Sequence, residues 1–191
     1  MLDRINITEI LLYKYRDWMG LKISKKLGHS KNTIQHYLSV YGILIDAAWL
    51  WEEYLAKILK EKFLHCTKNS NWSYLFENNI QKIITDYRSD CAVADAKYIS
   101  LDSNNTFNEE KATAIYYKSI AYMVRFNKSI CFLFYPTKKP IAEEILKIKE
   151  NNCWTIIKIG LNIPKVSDLI NFVNSIKTSE NNLMNLIDKY T

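Results

Sequence analysis

The chain has 191 residues, 48% hydrophobic and 13% aromatic, with only four Gly and three Pro, which fits one domain with a sizeable core and excludes a disordered or linker-rich chain. Lys and Arg number 26 against 20 Asp and Glu, and the net charge of +6 tolerates or favours a polyanionic partner. Cys66, Cys91, Cys131 and Cys153 form no CxxC pair, no secretory apolar run opens the chain, and the longest apolar stretch, YGILIDAAWLW, is cut by Asp46; a soluble cytoplasmic protein with reduced thiols and no membrane contact is expected.

In chain order, NITEILLYKYRDWM opens with Asn6 as an N-cap and Glu9 three residues later, a capping box, and carries Leu11, Leu12, Tyr15, Trp18 and Met19 at helical spacing. In LKISKKLGHSKNTIQHYLSVYG, Gly28 stands at a turn and Ser30 at an N-cap, with Thr33, Ile34, Tyr37 and Leu38 on a second helix. This pattern is helix-turn-helix-like, and it would leave Lys31, Asn32, Gln35 and His36 outward and able to touch DNA. A plain helical hairpin packed on the rest of the chain is the simpler reading of the same pattern. Residues 1–40 are therefore an N-terminal helical segment and residues 41–191 a separate core with C-terminal helices.

Helical character is expected to run on to about Phe63, with Gly42 as a candidate break. WSYLF, KIITDY and CAVADAKYI then read as short strands, with a turn at Arg88, Ser89 and Asp90. NEEKATAIYYKSIAYMVRF returns to helix, SICFLFYP to strand, IAEEILKIKE to helix, CWTIIKIGL to strand, and the tail from Val166 to helix. This order implies an α/β fold, a mixed β-sheet flanked by helices.

Within the strand at residues 91–99, Val93, Asp95 and Lys97 share one face. A two-residue turn at Ser89 and Asp90 would put Asp86 opposite Val93 and diagonal to Asp95, roughly 7–8 Å away between backbones. Two carboxylates so placed repel unless a cation compensates them, and Mg²⁺ suits because it takes one or two carboxylates and keeps waters. On the preceding helix, Ile45, Ala48, Glu52, Leu55 and Leu59 step by three and four, which puts Glu52 inside the apolar stripe and makes it a third ligand candidate.

These residues carry a resemblance. Asp86, then Asp95-Ala96-Lys97, preceded by a helix with an inward Glu and followed by YYKSIAYMVRF, looks like the PD-(D/E)xK nuclease core. YGILIDAAWLWEEYLAKIL, DAKYI, YYKSIAYMVRF and FLFYP resemble more closely the McrC and LlaJI group of restriction endonuclease subunits, over roughly Tyr41 to Pro136. The resemblance implies a restriction-endonuclease-like core and a Mg²⁺-dependent endodeoxyribonuclease, with Mn²⁺ as a substitute, serving restriction or phage defence. It implies that Glu52, Asp86 and Asp95 hold the metal and that Lys97 orients or activates the attacking water. DNA is the implied partner, with a McrB-like GTPase motor, another restriction subunit or a second copy of the chain as further candidates. Thr85 departs from the usual Pro of the group, Lys118 stands where many relatives of the wider superfamily have Gln, and larger members carry an upstream domain that has no counterpart here.

Lys111, Lys118 and Arg125, with Ile115 and Tyr122, fall on one face of the helix after the motif. That stripe reads either as a DNA-backbone contact, with Lys118 and Tyr122 the best-placed members, or as a solvated face. His29, His36 and His65 show no metal-ligand spacing and are expected in surface or core roles. An alternative to the enzyme is a DNA-binding module, or a regulatory or scaffold subunit, with an inactive nuclease-like core.

Overall fold

The computed structural model describes residues 46–66, 73–99, 101, 109–139, 142–149, 151–164 and 169–191; the helical segment expected over residues 1–40, with Lys31 and Gln35, lies outside them. The first described helix, α1 (Ala47–Leu59), begins where the Asp46 carboxylate accepts hydrogen bonds from the N–H groups of Ala48 (2.9 Å) and Trp49 (3.3 Å), satisfying two donors that a helix start leaves open. Its buried face is Leu50, Trp51, Tyr54, Leu55 and Leu59. The apolar stripe is thus rotated from the expected one. Ala48 is exposed and Glu52 sits at the margin of the buried face, because the larger Trp51 and Tyr54 bury more area and take the inward positions.

The strands are β1 (Leu64–His65), β2 (Ser73–Tyr74), β3 (Lys82–Ile83), β4 (Tyr87–Arg88) and β5 (Ala92–Ala96). After helix α2 (Glu109–Phe126) come β6 (Ile130–Thr137), β7 (Ala142–Ile148) and β8 (Asn151–Asn162), and helix α3 (Leu169–Asp188) follows. Six strands form one mixed sheet in the order β1-β4-β5-β6-β8-β7, and β2 pairs with β3 in a separate two-stranded sheet. The expected strand KIITDY is therefore split. Lys82 and Ile83 pair with Tyr74 and Ser73, while Tyr87 and Arg88 belong to the main sheet. At the break Thr85 is buried, and its hydroxyl donates to the Tyr87 carbonyl at 3.0 Å, a local bond of the kind that competes with ladder pairing.

A second departure is IAEEILKIKE. Its Glu, Leu and Lys content favours a helix, yet residues 142–148 form β7, antiparallel to β8 with Ala142 opposite Gly160 and Ile145 opposite Ile157. The strand sends Glu143 and Glu144 to opposite faces. Glu143 meets Lys189 and Tyr190, and Glu144 meets Lys158, so each acid is satisfied by a partner that a helix would not supply. Tertiary pairing overrides propensity here.

β5, β6 and β8 run parallel at the centre of the sheet, with α2 as the crossover between the first two. One sheet face packs Ala92, Ala94, Phe132, Phe134, Ile157 and Ile159 against Trp51 and Leu55 of α1 and Phe172 and Ile176 of α3. The other packs Val93, Cys131, Leu133 and Ile156 against Tyr122 and Met123 of α2. The mixed sheet flanked by helices is thus the α/β architecture expected. Among the described residues no helix is long and apolar enough to cross a membrane.

Candidate functional site

The β4–β5 ladder pairs Tyr87 with Ala94 and Arg88 with Val93. Asp86 is therefore not opposite Val93, which pairs with Arg88; continued one step past the end of β4, the register would bring Asp86 opposite Asp95. The connection is two residues wider than the tight turn at Ser89 and Asp90 allows; Ser89 closes it instead, its N–H donating to the Ala92 carbonyl at 2.9 Å and its hydroxyl accepting the Ala92 N–H at 3.0 Å. A shift of two preserves the face of every side chain. Asp86 is held from both sides: its carbonyl accepts the Cys66 N–H at 2.8 Å, extending the β1–β4 ladder, and its Oδ2 accepts the Ala96 N–H at 2.6 Å.

Asp95 is 2% exposed. Lys97, just past the end of β5, forms an ion pair with its Oδ2. The other oxygen, Oδ1, faces the Lys118 ammonium at 3.7 Å and accepts from the Tyr122 hydroxyl at 3.5 Å, both from α2. Lys118 also lies 5.2 Å from the centre of the Tyr122 ring. Lys118 is half exposed, as a backbone-contacting lysine would be. Tyr122 corrects the expectation of a DNA contact: at 1% exposure its ring belongs to the core, and its hydroxyl points at Asp95. Arg125, from the same expected stripe, is engaged within the fold, its Nε donating to the Tyr74 carbonyl.

Glu52 approaches from α1. Its Oε1 is 3.0 Å from His65 Nε2, and its backbone carbonyl accepts from the buried Tyr87 hydroxyl. The electrostatics tie these groups together. The Asp86 carboxyl is raised above its ordinary range, first by burial and then by the Glu52 charge, against the opposing pull of the Ala96 N–H, Lys97 and Lys118. The Lys97 ammonium is lowered to about 8, first by burial and then by Lys118, while Asp86 and Glu52 act the other way. Its direct pair with Asp95 also favours the charged form. Three carboxylates and two ammonium groups thus act on one another across the site.

Sequence reasoning set His65 aside and passed over Tyr87. No spacing rule links either to Glu52; the link needs the helix-to-strand turn after Leu59, which brings residue 65 back beside residue 52.

The donors available to a metal are hard carboxylate oxygens, which suit Mg²⁺, an ion that needs only one or two carboxylates. Among the described residues no group of three or more His, Cys, Asp or Glu side chains is drawn together as a ready-made metal cage. The carboxylates that could contribute are those of Asp86, Asp95 and Glu52, with both Asp95 oxygens engaged by Lys97, Lys118 and Tyr122.

Fold and site together define an α/β protein with an acid pair and a lysine at the end of a central strand. The chain belongs to the family described as McrBC 5-methylcytosine restriction system component, whose model matches residues 22–136, more than half its length. No curated protein matches it. Among solved structures it is similar to a chain of the refined half-complex from a tetradecameric assembly of Thermococcus gammatolerans McrB AAA+ hexamers with bound McrC, at 19% identity and a TM-score of 0.45. That match covers 74% of this chain and 34% of the other, so this chain spans about a third of its neighbour's length.

Proposed function

We propose that the chain is a Mg²⁺-dependent DNA endonuclease of the PD-(D/E)xK type, working in restriction or phage defence. The observation that carries this reading is the buried Asp95 paired to Lys97, with the Asp86 carboxylate, just before β4, accepting the neighbouring Ala96 N–H. Family membership supports the restriction role, and the carboxylate donors Asp86, Asp95 and Glu52 support a divalent cation. Asp86 and Asp95 would hold Mg²⁺, with Glu52 as a third ligand, and Mn²⁺ would substitute. When bound, Mg²⁺ supplies Lewis acidity toward a phosphate oxygen and offsets the charge that develops there.

The chain's own groups supply the rest. Lys97 hydrogen-bonds the attacking water and faces the charge that builds on the phosphate. Lys118, on the exposed side of α2, meets the DNA backbone. Tyr122 keeps the Asp95 carboxylate oriented. We also propose a McrB-like partner, since the Thermococcus McrC is bound to McrB AAA+ hexamers.

One observation favours a second reading, a regulatory or scaffold subunit whose core does not cut: both oxygens of Asp95 are already engaged, by Lys97 on one side and Lys118 with Tyr122 on the other. Incubating plasmid with the protein in Mg²⁺ and in EDTA, alone and with its McrB-like partner, decides between them. Metal-dependent nicking or linearisation that Asp95→Asn abolishes is expected. Intact plasmid under every condition would establish the non-cutting reading.

A further inference from the structure

Glu52 is an exposed-edge carboxylate that is nevertheless gripped twice. Its side chain is 34% exposed, and a free glutamate at such a margin would spread over several rotamers. Here its carboxylate meets His65 Nε2 at 3.0 Å, and its main-chain carbonyl takes the Tyr87 hydroxyl. The two gripping residues are themselves a unit. His65 and Tyr87 are cross-strand partners in the β1–β4 ladder, and their rings lie 5.4 Å apart, tilted by 30°. The next step of that ladder is the Cys66 N–H to Asp86 carbonyl bond. One short ladder therefore fixes Asp86 through its backbone and Glu52 through two side chains.

We propose that His65 is a positioning residue for the metal site, holding the Glu52 carboxylate through Oε1 and so fixing it as a ligand. The inference rests on the metal-dependent nuclease reading and adds a residue to it. A carboxylate only accepts hydrogen bonds, so the His65 tautomer in this contact carries its proton on Nε2. Stability alone accounts poorly for the pair: an ion pair between partly exposed side chains contributes little, whereas a hydrogen-bonded partner behind a ligating carboxylate commonly sets metal affinity.

The test compares wild type, His65→Ala, His65→Gln and His65→Asn by two readouts: the Mg²⁺ and Mn²⁺ concentrations at the midpoint of the metal-induced rise in Tm, and the metal dependence of plasmid cleavage. Gln carries an N–H about as far from the backbone as His Nε2, and Asn does not. His65→Ala and His65→Asn should raise the metal midpoint by about 10–100-fold, the scale found when such supporting partners are removed. His65→Gln should restore most of it, and cleavage at saturating metal should stay near the wild-type rate in all three. A wild type that responds to metal alongside a His65→Ala protein with an unchanged midpoint overturns the positioning role and leaves the nuclease reading standing. If His65→Ala does not fold, equal midpoints for Gln and Asn overturn it in the same way. A wild type with no response to either metal removes the metal reading and this role together.

Discussion

Asp86 takes the backbone N–H of Ala96 across the ladder at 2.6 Å, and that bond turns its carboxylate toward the strand bearing Asp95 while leaving Oδ1 outside the contact. Burial and the Glu52 charge raise the Asp86 carboxyl above the ordinary range. A raised folded-state value means stability that is fully present below the unfolded value of 3.8 and is lost as pH rises through the folded value. Without metal, Asp86→Asn should consequently be more stable than wild type at neutral pH, because Asn keeps an oxygen for Ala96 and drops the charge. The advantage should shrink as pH falls toward 3.8. Thermal melts in EDTA across that range check it, and an Asn variant less stable at neutral pH contradicts the charge argument.

Lys97 and Asp95 separate by role. Lys97→Ala should keep the metal-induced thermal shift and lose cleavage by about 10²-fold or more, the scale for one preorganised electrostatic contact. Lys97→Arg should not rescue it, since a planar fork does not replace a compact ammonium. Without metal the Ala variant should also lose up to about 3 kcal/mol, because Asp95 stays buried with only Lys118 and Tyr122 beside it. Cleavage by Lys97→Ala at the wild-type rate would remove Lys97 from the catalytic step.

Lys118 is the exposed member of the cluster. Lys118→Ala should weaken DNA binding about equally for all sequences and lower the salt slope by about one phosphate contact. Fluorescence anisotropy at several salt concentrations reads both, and affinity independent of salt would show that the cluster does not meet the backbone.

The Glu144 carboxylate and the Lys158 ammonium meet at 2.6 Å, with Lys158 2% exposed and Glu144 39% exposed. The two partners are unequal. Glu144→Ala strands a buried ammonium and should cost about 3–5 kcal/mol, whereas Lys158→Met leaves a glutamate that water can reach and should be nearly neutral. Urea denaturation of the two variants measures the difference, and equal costs would refute the asymmetry.

Gly160 admits no side chain. A Cβ there would lie 2.6 Å from Thr137 Cγ2 and 2.7 Å from Ala142 Cβ, so Gly160→Ala should destabilise by about 1–3 kcal/mol. Ala142→Gly in the same chain should recover part of the loss. A Gly160→Ala protein with wild-type Tm would mean that β7 and β8 separate more easily than this contact suggests.

The central strands were legible because their apolar runs have few alternative readings: Ala92–Asp95, Cys131–Tyr135 and Ile156–Ile159 are buried on both faces. β7 was not, since Glu143, Glu144, Lys147 and Lys149 carry helix-forming chemistry and only pairing with β8 makes a strand of them. The acid pair was legible up to its register. Parity placed Asp86 and Asp95 on one face, but the width of the Ser89 connection decides whether they stand opposite or diagonal. Lys118 was legible as a neighbour of the site, while the depth of Tyr122 depends on how α2 rolls against β5 and β6. His65 was illegible, because what joins it to Glu52 is a turn geometry that no local pattern encodes.

Sheet topology also sets an order in which the site can assemble. Asp86 directly precedes β4 and Asp95 lies on β5, its antiparallel partner, so closing the loop between them orders few residues. The parallel pairing of β5 with β6 encloses the whole of α2, and contacts of that separation form slowly. A chain emerging in synthesis order would bring the two acids together before Lys118 arrives to face them. Until then Lys97, the neighbour in sequence, is the cation nearest to Asp95. The lysine that the mature site would use on phosphate would thus first serve as the acid's chaperone during folding.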